Sequence, residues 1–570
     1  MKKTAIFRIR IITGVVVFLA VLLIVRLYYV QVIHSENYKS QAERQYVHTA
    51  QDLYSRGDIY FTSKDGELSW AAAIQPGYVL ALDPTRITDP EGTYTALVDI
   101  LPSIDHDSFV KKASDQKRTY QEINTQVSDT DADAIDVLDL PGVLLYRSQW
   151  RSYPQDNLAA RTVGFVGYKG NDVVGLYGLE RQYEDVLSRG SDKLSVNFFA
   201  ELFSDFDNLV FDSSHSDEGD IITTLEPNVS KMLDEVLKKT EDKWKSKVTG
   251  GIIMNPRTGE IYAMNVVPTF NLNDRSGVSL EMFDNPLVEA RYEMGSIIKP
   301  LTMAAGIDTN TVTPSTTYYD PGCIELNTYR ICNFDKRGRG TVPMQEVLSQ
   351  SLNTGVAHIV NLMGKEKLKK YFLGLKLGSE TGIDLPGEIH GDLENLNSPR
   401  DVEYATASFG QGIAMTPIET VRALATLAND GRLVTPHIVK EIRYESGKTY
   451  NVQFPLGEQV FSTSTTDQVT SMLITVADKA LAHGALSMEH YSFASKTGTA
   501  QIANPNGGGY YADRYLHSFF GYFPAYDPQF LIFLYTVEPQ GVQYSSETLT
   551  EPYGELMRFL LNYYDVPPDR

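Results

Sequence analysis

Tyr292-Glu293-Met294-Gly295-Ser296-Ile297-Ile298-Lys299-Pro300 sets a serine directly after a glycine and a lysine three positions beyond it. Ser296 to Ile307 reads as a helix, with Pro300 near the first turn, where proline is tolerated. Residues three apart share a helix face, so Lys299 Nζ is expected within reach of Ser296 Oγ. A serine hydroxyl is a poor nucleophile at neutral pH and needs a base; a lysine in a dry pocket near another cation has a lowered pKa and can serve. On its own the tetrapeptide occurs by chance on many surface helices. Two later segments change its weight: Ser351-Leu352-Asn353 and Lys496-Thr497-Gly498-Thr499-Ala500. Ser351-Leu352-Asn353 alone would be an ordinary helix cap. On a short loop, however, Ser351 and Asn353 can both face one cleft, Ser351 relaying a proton between Lys299 and a leaving amine, Asn353 holding a substrate amide or Lys299. Tyr491 to Ser495 reads as a strand edge leading into Lys496, and Gly498 permits close backbone approach. An extended substrate pairing there would meet Lys496, Thr497 and Thr499 with a terminal carboxylate.

The ordered S-x-x-K, S-x-N and K-T-G set resembles that of penicillin-binding proteins and serine β-lactamases. The resemblance implies that the backbone N–H groups of Ser296 and Thr499 form an oxyanion hole, each donor worth roughly 3 kcal/mol. Two earlier patterns are similar to the pedestal of class B penicillin-binding proteins: Arg56-Gly57-Asp58-Ile59-Tyr60 with Asp65-Gly66, and Arg151-Ser152-Tyr153-Pro154 with Gly164-Phe165-Val166-Gly167 and Gly175-Leu176-Tyr177-Gly178-Leu179-Glu180. Met294 replaces a common proline, and Phe61-Thr62 stands where Asp-Arg is common. Gly382-Ile383-Asp384-Leu385-Pro386-Gly387-Glu388, Ser408-Phe409-Gly410-Gln411-Gly412 and Ser518-Phe519-Phe520-Gly521 extend the resemblance toward the C-terminus.

The 570 residues suffice for several domains, and 42% hydrophobic content fits folded protein. A formal charge of -21 argues against nucleic acid as a partner. Lys2, Lys3, Arg8 and Arg10 are basic, and Ile11 to Val25 follows without a charge. With Leu27-Tyr28-Tyr29-Val30 the apolar surface approaches the roughly 20 residues that span a bilayer. No small-x-small cleavage pair follows, so an uncleaved single-pass anchor is expected, N-terminus in the cytoplasm and the rest outside.

Domains are expected at 1–10 (cytoplasmic tail), 11–33 (anchor and interface), 34–222 (stalk and pedestal) and 223–570 (transpeptidase). The last boundary rests on Thr223 to Asn228, where a strand gives way to a helix with Val229, Leu233 and Leu237 on one face. Gly250 to Met264 reads as strand, tight turn, strand. Asn504 to Tyr511 reads as a mobile loop at the cleft rim. The acidic stretch Ser128 to Asp133 is a helix start or loop, without the glycine and closing glutamate of a calcium loop. The two cysteines, Cys323 and Cys332, flank a hairpin in which Leu326 faces Tyr329, Glu325 faces Arg330, Ile324 faces Ile331 and the cysteines face each other. Outside the cell a disulfide could form there, whereas C-x8-C without histidines is a poor zinc site.

The fold class implied is α+β and multidomain: one N-terminal transmembrane helix, an elongated pedestal, and a penicillin-binding domain with a central antiparallel sheet flanked by helices. The activity implied is a peptidoglycan D,D-transpeptidase, with Ser296 acylated by a stem peptide and D-Ala released. No metal or organic cofactor is expected. Partners are stem peptides, β-lactams as covalent inhibitors, a SEDS-family glycosyltransferase, other division or elongation proteins, and the cytoplasmic membrane. Ser518 to Val537 and Val566-Pro567-Pro568-Asp569 favour the septal branch over elongation. The competing readings are a D,D-carboxypeptidase, a β-lactamase-like enzyme and a non-catalytic divisome scaffold.

Overall fold

The structure, a computed structural model, describes residues 55–170, 172–189, 218–455 and 457–570. The expected anchor at 11–33 lies outside these residues, as do the tail and the start of the stalk. Among the described residues no helix is long and apolar enough to cross a membrane. Contacts divide the chain into two units, the smaller built chiefly from residues 74–152, the larger containing 57–73, 153–188 and the C-terminal half.

Strand β1 (Ile59–Thr62) pairs antiparallel with the beginning of β2 (Leu68–Leu82), Thr62 facing Leu68. In the smaller unit the end of β2 pairs with β3 (Gln121–Val127), Tyr78 opposite Val127, and β4 (Val143–Ser152) also pairs with β2. Helices α1 (Pro90–Val98), α2 (His106–Ala113) and α3 (Asp129–Asp136) each begin at a side-chain cap: Asp89, Asp105 and Ser128 accept the N–H of Gly92, Ser108 and Asp131. The acidic stretch is thus the first turn of α3, where negative charge complements the helix dipole. Leu80, Leu82, Leu97, Phe109, Val127 and Ile135 form this unit's core.

In the larger unit β1 runs parallel to β5 (Gly219–Thr223), which pairs antiparallel with Val439–Tyr444. β5 ends where α4 (Pro227–Trp244) begins; Glu226 caps the helix by accepting Val229 N–H at 2.6 Å, and Pro227 takes a first-turn position that needs no donor. Val229, Leu233, Val236 and Leu237 recur at helical spacing and are buried. β6 (Val248–Met254) and β7 (Ile261–Val267) follow as the expected hairpin.

The chain returns to this hairpin more than two hundred residues later. β12 (Ala494–Ala503), β13 (Tyr510–Phe523) and β14 (Phe530–Val537) complete a five-stranded antiparallel sheet in the order β12-β13-β14-β6-β7. One rung crosses all five strands: Lys496, Phe520, Phe533, Ile252 and Met264. Residues of a rung share a sheet face, which places Lys496 beside large apolar side chains. That face packs on α5 (Lys299–Asp308), α7 (Asn353–Met363) and α8 (Thr463–Thr475), through Leu301, Ala304, Val356, Ile359, Val469 and Leu473. The opposite face, with Phe519 and Leu534, packs on α4 and α9 (Thr550–Tyr563). Helix α5 is buried on every side from Lys299 to Gly306, as befits an apolar helix inside a domain. Between α5 and α7 lie β8 (Thr317–Asp320), β9 (Cys323–Leu326), β10 (Tyr329–Cys332), β11 (Gly340–Pro343) and α6 (Met344–Ser349). The β9–β10 hairpin has the register read from the sequence, and its two cysteines are joined.

Candidate active site

The turn that carries Ser296 is tighter than the sequence reading. Gly295–Ile298 is a 3₁₀ turn and the α-helix begins only at Lys299, so that Pro300 lies where no backbone donor is required. Three sets of bonds hold the turn. Tyr292 and Met415 exchange backbone hydrogen bonds at 2.9 Å, Gly295 N–H donates to Gly410 O at 3.0 Å, and Ser518 Oγ donates to Met294 O at 2.8 Å. Gly295 has φ +66, and a Cβ there would stand 2.8 Å from Thr499 O. A Cβ on Gly498 would collide with Ser518 Oγ. The two glycines therefore let the nucleophile turn lie against strand β12.

The strand expected just before Lys496 instead contains it, since β12 runs from Ala494 to Ala503. Only one side of β12 is paired within the sheet, to β13, so the strand is an edge. Ser351 lies in the sharp reversal between α6 and α7 with φ +53, a left-handed conformation that a residue other than glycine rarely adopts. Lys299 Nζ donates to Ser351 O at 2.5 Å and to Ser351 Oγ at 3.0 Å, and Lys496 Nζ donates to the same Oγ at 3.1 Å and to Thr497 O at 3.0 Å. Lys299 thus addresses Ser351 rather than Ser296 with its donors. Both lysines are removed from water. Burial, and then the charge of Lys496, push the Lys299 pKa well below the usual lysine range; burial lowers that of Lys496 to about 8. Loss of the proton is therefore favoured at both lysines, at Lys299 by burial and by its charged neighbour together. A neutral amine has two N–H groups and a lone pair; in that form Lys299, with both N–H groups at Ser351, would keep its lone pair available. Ser351 Oγ accepts from both lysines, leaving its own proton to donate.

Asn353 Nδ2 donates to Cys332 O at 2.8 Å, which ties the start of α7 to the β9–β10 hairpin instead of to Lys299. Behind this contact Asp320 is 1% exposed. Its carboxylate accepts from Thr354 Oγ1 (2.7 Å), Asn333 Nδ2 (3.0 Å), Gly322 N–H (2.9 Å) and Arg339 N–H (3.0 Å). Asp320→Ala would leave these donors unmet in a buried place and is expected to cost about 3 kcal/mol of stability. Chemical denaturation would measure it; a loss under about 0.5 kcal/mol, the range of ordinary surface substitutions, would show that water replaces the carboxylate.

Ser296, Ser351, Asn353, Lys496, Thr497 and Thr499 all line one cleft of about 910 Å³. Thr499 Oγ1 accepts Ser545 N–H at 3.1 Å, so the loop before α9 braces the third motif. Phe334 and Tyr544 meet edge to face at 5.7 Å between rings and also line the cleft. At the tip of the β12–β13 hairpin, in the stretch read as a mobile loop, Tyr510 OH donates to Glu293 Oε1 at 3.1 Å; burial raises the Glu293 pKa to about 7. Sequence reading missed Phe334, Tyr544 and the basic residues after Cys332. The signal was present in Asn333-Phe334-Asp335-Lys336-Arg337-Gly338-Arg339, a charged aromatic loop between the second cysteine and the second motif.

An antiparallel sheet between two helical layers, with a serine turn against its edge strand and two buried lysines sharing a second serine, defines a serine acyltransferase of the penicillin-recognising class. Comparison with known proteins agrees. Residues 249–558 match the penicillin binding protein transpeptidase domain and residues 54–198 the penicillin-binding protein dimerisation domain. Stage V sporulation protein D of Bacillus subtilis is 31% identical over 97% of this chain and 85% of its own length. Peptidoglycan D,D-transpeptidase FtsI of Escherichia coli is 25% identical over 99% of this chain and 93% of its own. The crystal structure of penicillin binding protein 2X from Streptococcus thermophilus superimposes with a TM-score of 0.71 at 20% identity, covering 90% of this chain and 81% of that one, a likeness of fold. The chain belongs to the penicillin-binding protein transpeptidase family, and it is an enzyme of the serine type.

Proposed function

We propose that this protein is a class B peptidoglycan D,D-transpeptidase that crosslinks stem peptides during septal wall synthesis. The observation that carries the chemical reading is the single serine hydroxyl of Ser351 held between two buried lysines, 3.0 Å from Lys299 Nζ and 3.1 Å from Lys496 Nζ. In the proposed reaction Lys299 takes the proton of Ser296 Oγ through its free lone pair. The alkoxide adds to the carbonyl carbon of the penultimate D-Ala, and the oxyanion is met by the backbone N–H groups of Ser296 and Thr499. Lys299 passes its proton through Ser351 to the nitrogen of the terminal D-Ala, the C–N bond breaks, and an ester on Ser296 remains. An amine of a neighbouring stem then gives a proton to the same relay and attacks the ester carbonyl; the C–O bond to Ser296 breaks, Ser296 Oγ takes the proton back from Lys299, and the new amide is the crosslink. Lys496, with Thr497 and Thr499, holds the terminal carboxylate, and Gly498 lets the peptide backbone approach β12. A β-lactam acylates Ser296 likewise, but its leaving nitrogen stays tethered and blocks the acceptor.

Residues 11–33 would anchor the enzyme in the cytoplasmic membrane, 34–222 would lift it away, and 223–570 would work on the outer side. The hydrophobic run at the N-terminus supports this placement. Glycan polymerisation would fall to a SEDS-family partner. The septal assignment rests on the Ser518 to Val537 segment and the Val566-Pro567-Pro568-Asp569 tail. Incubation with lipid-linked pentapeptide precursor and a glycosyltransferase should give crosslinked dimers on mass spectrometry, while trimmed monomers alone would identify a carboxypeptidase. A fluorescent fusion should gather at the division site; an even distribution along growing side walls would transfer the role to elongation.

A further inference from the structure

The chain as a whole carries a formal charge of -21, yet its cleft has the opposite character. Arg330, Lys336, Arg339 and Lys496 line it, and no Asp or Glu among the described residues does. Two of these cations are already engaged. Lys496 sits at Ser351 and Thr497, beside Ser296, where the proposed function uses it for the terminal carboxylate. Arg339 forms a 2.9 Å ion pair with Asp335 and donates to Gln350 Oε1 at 2.8 Å, which fixes the loop that follows β10.

Arg330 and Lys336 are left over. Both are exposed on the cleft wall, and among the described residues neither has an acidic group within 4.0 Å. Their backbones are held while their charged ends are free. Arg330 belongs to β10, opposite Glu325 in a hairpin closed by the Cys323–Cys332 bond and fastened to Asn353 through Cys332 O. Lys336 closes a turn by donating its N–H to Asn333 O at 2.9 Å, and it is held there at φ +60. Strained conformations of this kind persist where surrounding structure enforces them. Two exposed cations on held backbones, without an ion-pair partner and in a cleft that no described Asp or Glu lines, describe a receptor for an anion, and a guanidinium can engage a carboxylate with two parallel bonds.

We infer that Arg330 and Lys336 form a second carboxylate subsite, one that selects donor peptides bearing a free carboxylate upstream of the terminal D-Ala-D-Ala over peptides carrying a carboxamide there. The inference rests on the transpeptidase function proposed above and adds a specificity to it. The charge of the stem peptide upstream of D-Ala-D-Ala is then something the enzyme reads.

The test uses the full chain and two pentapeptides, L-Ala-γ-D-Glu-L-Lys-D-Ala-D-Ala and its α-carboxamide. Each is measured for protection of Ser296 against a fluorescent penicillin. The carboxylate peptide should halve the labelling rate at about one tenth the concentration of the carboxamide, and the ratio should shrink at high salt. Arg330→Gln with Lys336→Gln should bring the ratio to about one through weaker protection by the carboxylate peptide, and Arg330→Lys should keep most of the preference. Adduct formation itself reports that each variant is folded. Equal protection by the two peptides, no protection by either, or an undiminished ratio in the double variant would overturn the subsite while leaving the proposed function standing. A wild-type protein that takes no penicillin at Ser296 would instead remove the function beneath it.

Discussion

Ser296→Ala should abolish the covalent penicillin adduct and lower crosslinking by a factor of about 10^4 or more. The size of the loss follows from the arrangement around the turn. In the proposed mechanism Lys299, Ser351 and Lys496 form a relay built around a single acceptor of the acyl group, so removal of that acceptor would leave the remaining groups with nothing to activate. The turn should keep its shape, because the bonds that hold it come from Tyr292, Gly295, Met415 and Ser518 and not from the Ser296 side chain. Thermal unfolding is therefore expected to change little while intact-mass spectrometry after penicillin treatment shows no added mass. A variant that restores growth fully in a depletion strain would make the protein a scaffold whose chemistry is dispensable.

The second large effect is the pH dependence of acylation together with its loss in Lys299→Ala. In the proposed reaction Lys299 must be neutral to accept a proton, and its pKa lies well below that of a free lysine because burial and the Lys496 charge disfavour the ammonium. As pH falls through that pKa the base becomes protonated and the rate declines. Lys496 must be charged to hold a carboxylate as proposed, and it loses its proton as pH rises through about 8. The profile of kcat/KM is thus expected to be a bell whose acid limb belongs mainly to Lys299 and whose alkaline limb belongs mainly to Lys496, the two titrating as a coupled pair. Lys299→Ala should reduce acylation by about 10^3-fold and flatten the acid limb. Stopped-flow measurement of penicillin acylation from pH 5 to 10 provides the comparison. An acid limb that persists in the variant would assign the base to another group, and Glu293, with its pKa raised to about 7, would be the next to examine.

Much of this was legible in the sequence, and the parts that were not share a cause. The helix face Val229, Leu233 and Leu237, the strand pair around Gly250 to Met264, and the cysteine hairpin register all depend on residues near one another, and the structure has them as read. Nothing local tells that Lys496 shares a rung with Phe520, Phe533, Ile252 and Met264, since that pairing joins segments more than two hundred residues apart. Spacing placed Lys299 beside Ser296 but could not reveal that its donors go to Ser351, because Ser351 arrives through a left-handed reversal 52 residues from the lysine. The cationic wall at Arg330 and Lys336 was hidden by the overall negative charge, which averages over surfaces that never meet a ligand. Composition reports a mean, and a cleft is a departure from it.

The edge position of β12 has a consequence for how the molecule behaves among its own kind. A strand with an unpaired side invites any extended chain to add to the sheet, and folded proteins commonly deter this with lysine on the edge. Lys496 stands on that strand, but its side chain is buried and its ammonium turns to Ser351 Oγ and Thr497 O, so an ordinary segment added there brings it no anionic partner. A peptide that ends in a carboxylate brings the partner with it. The residue proposed to recognise the substrate would thus select, among the extended chains that an open edge invites, those that end in a carboxylate.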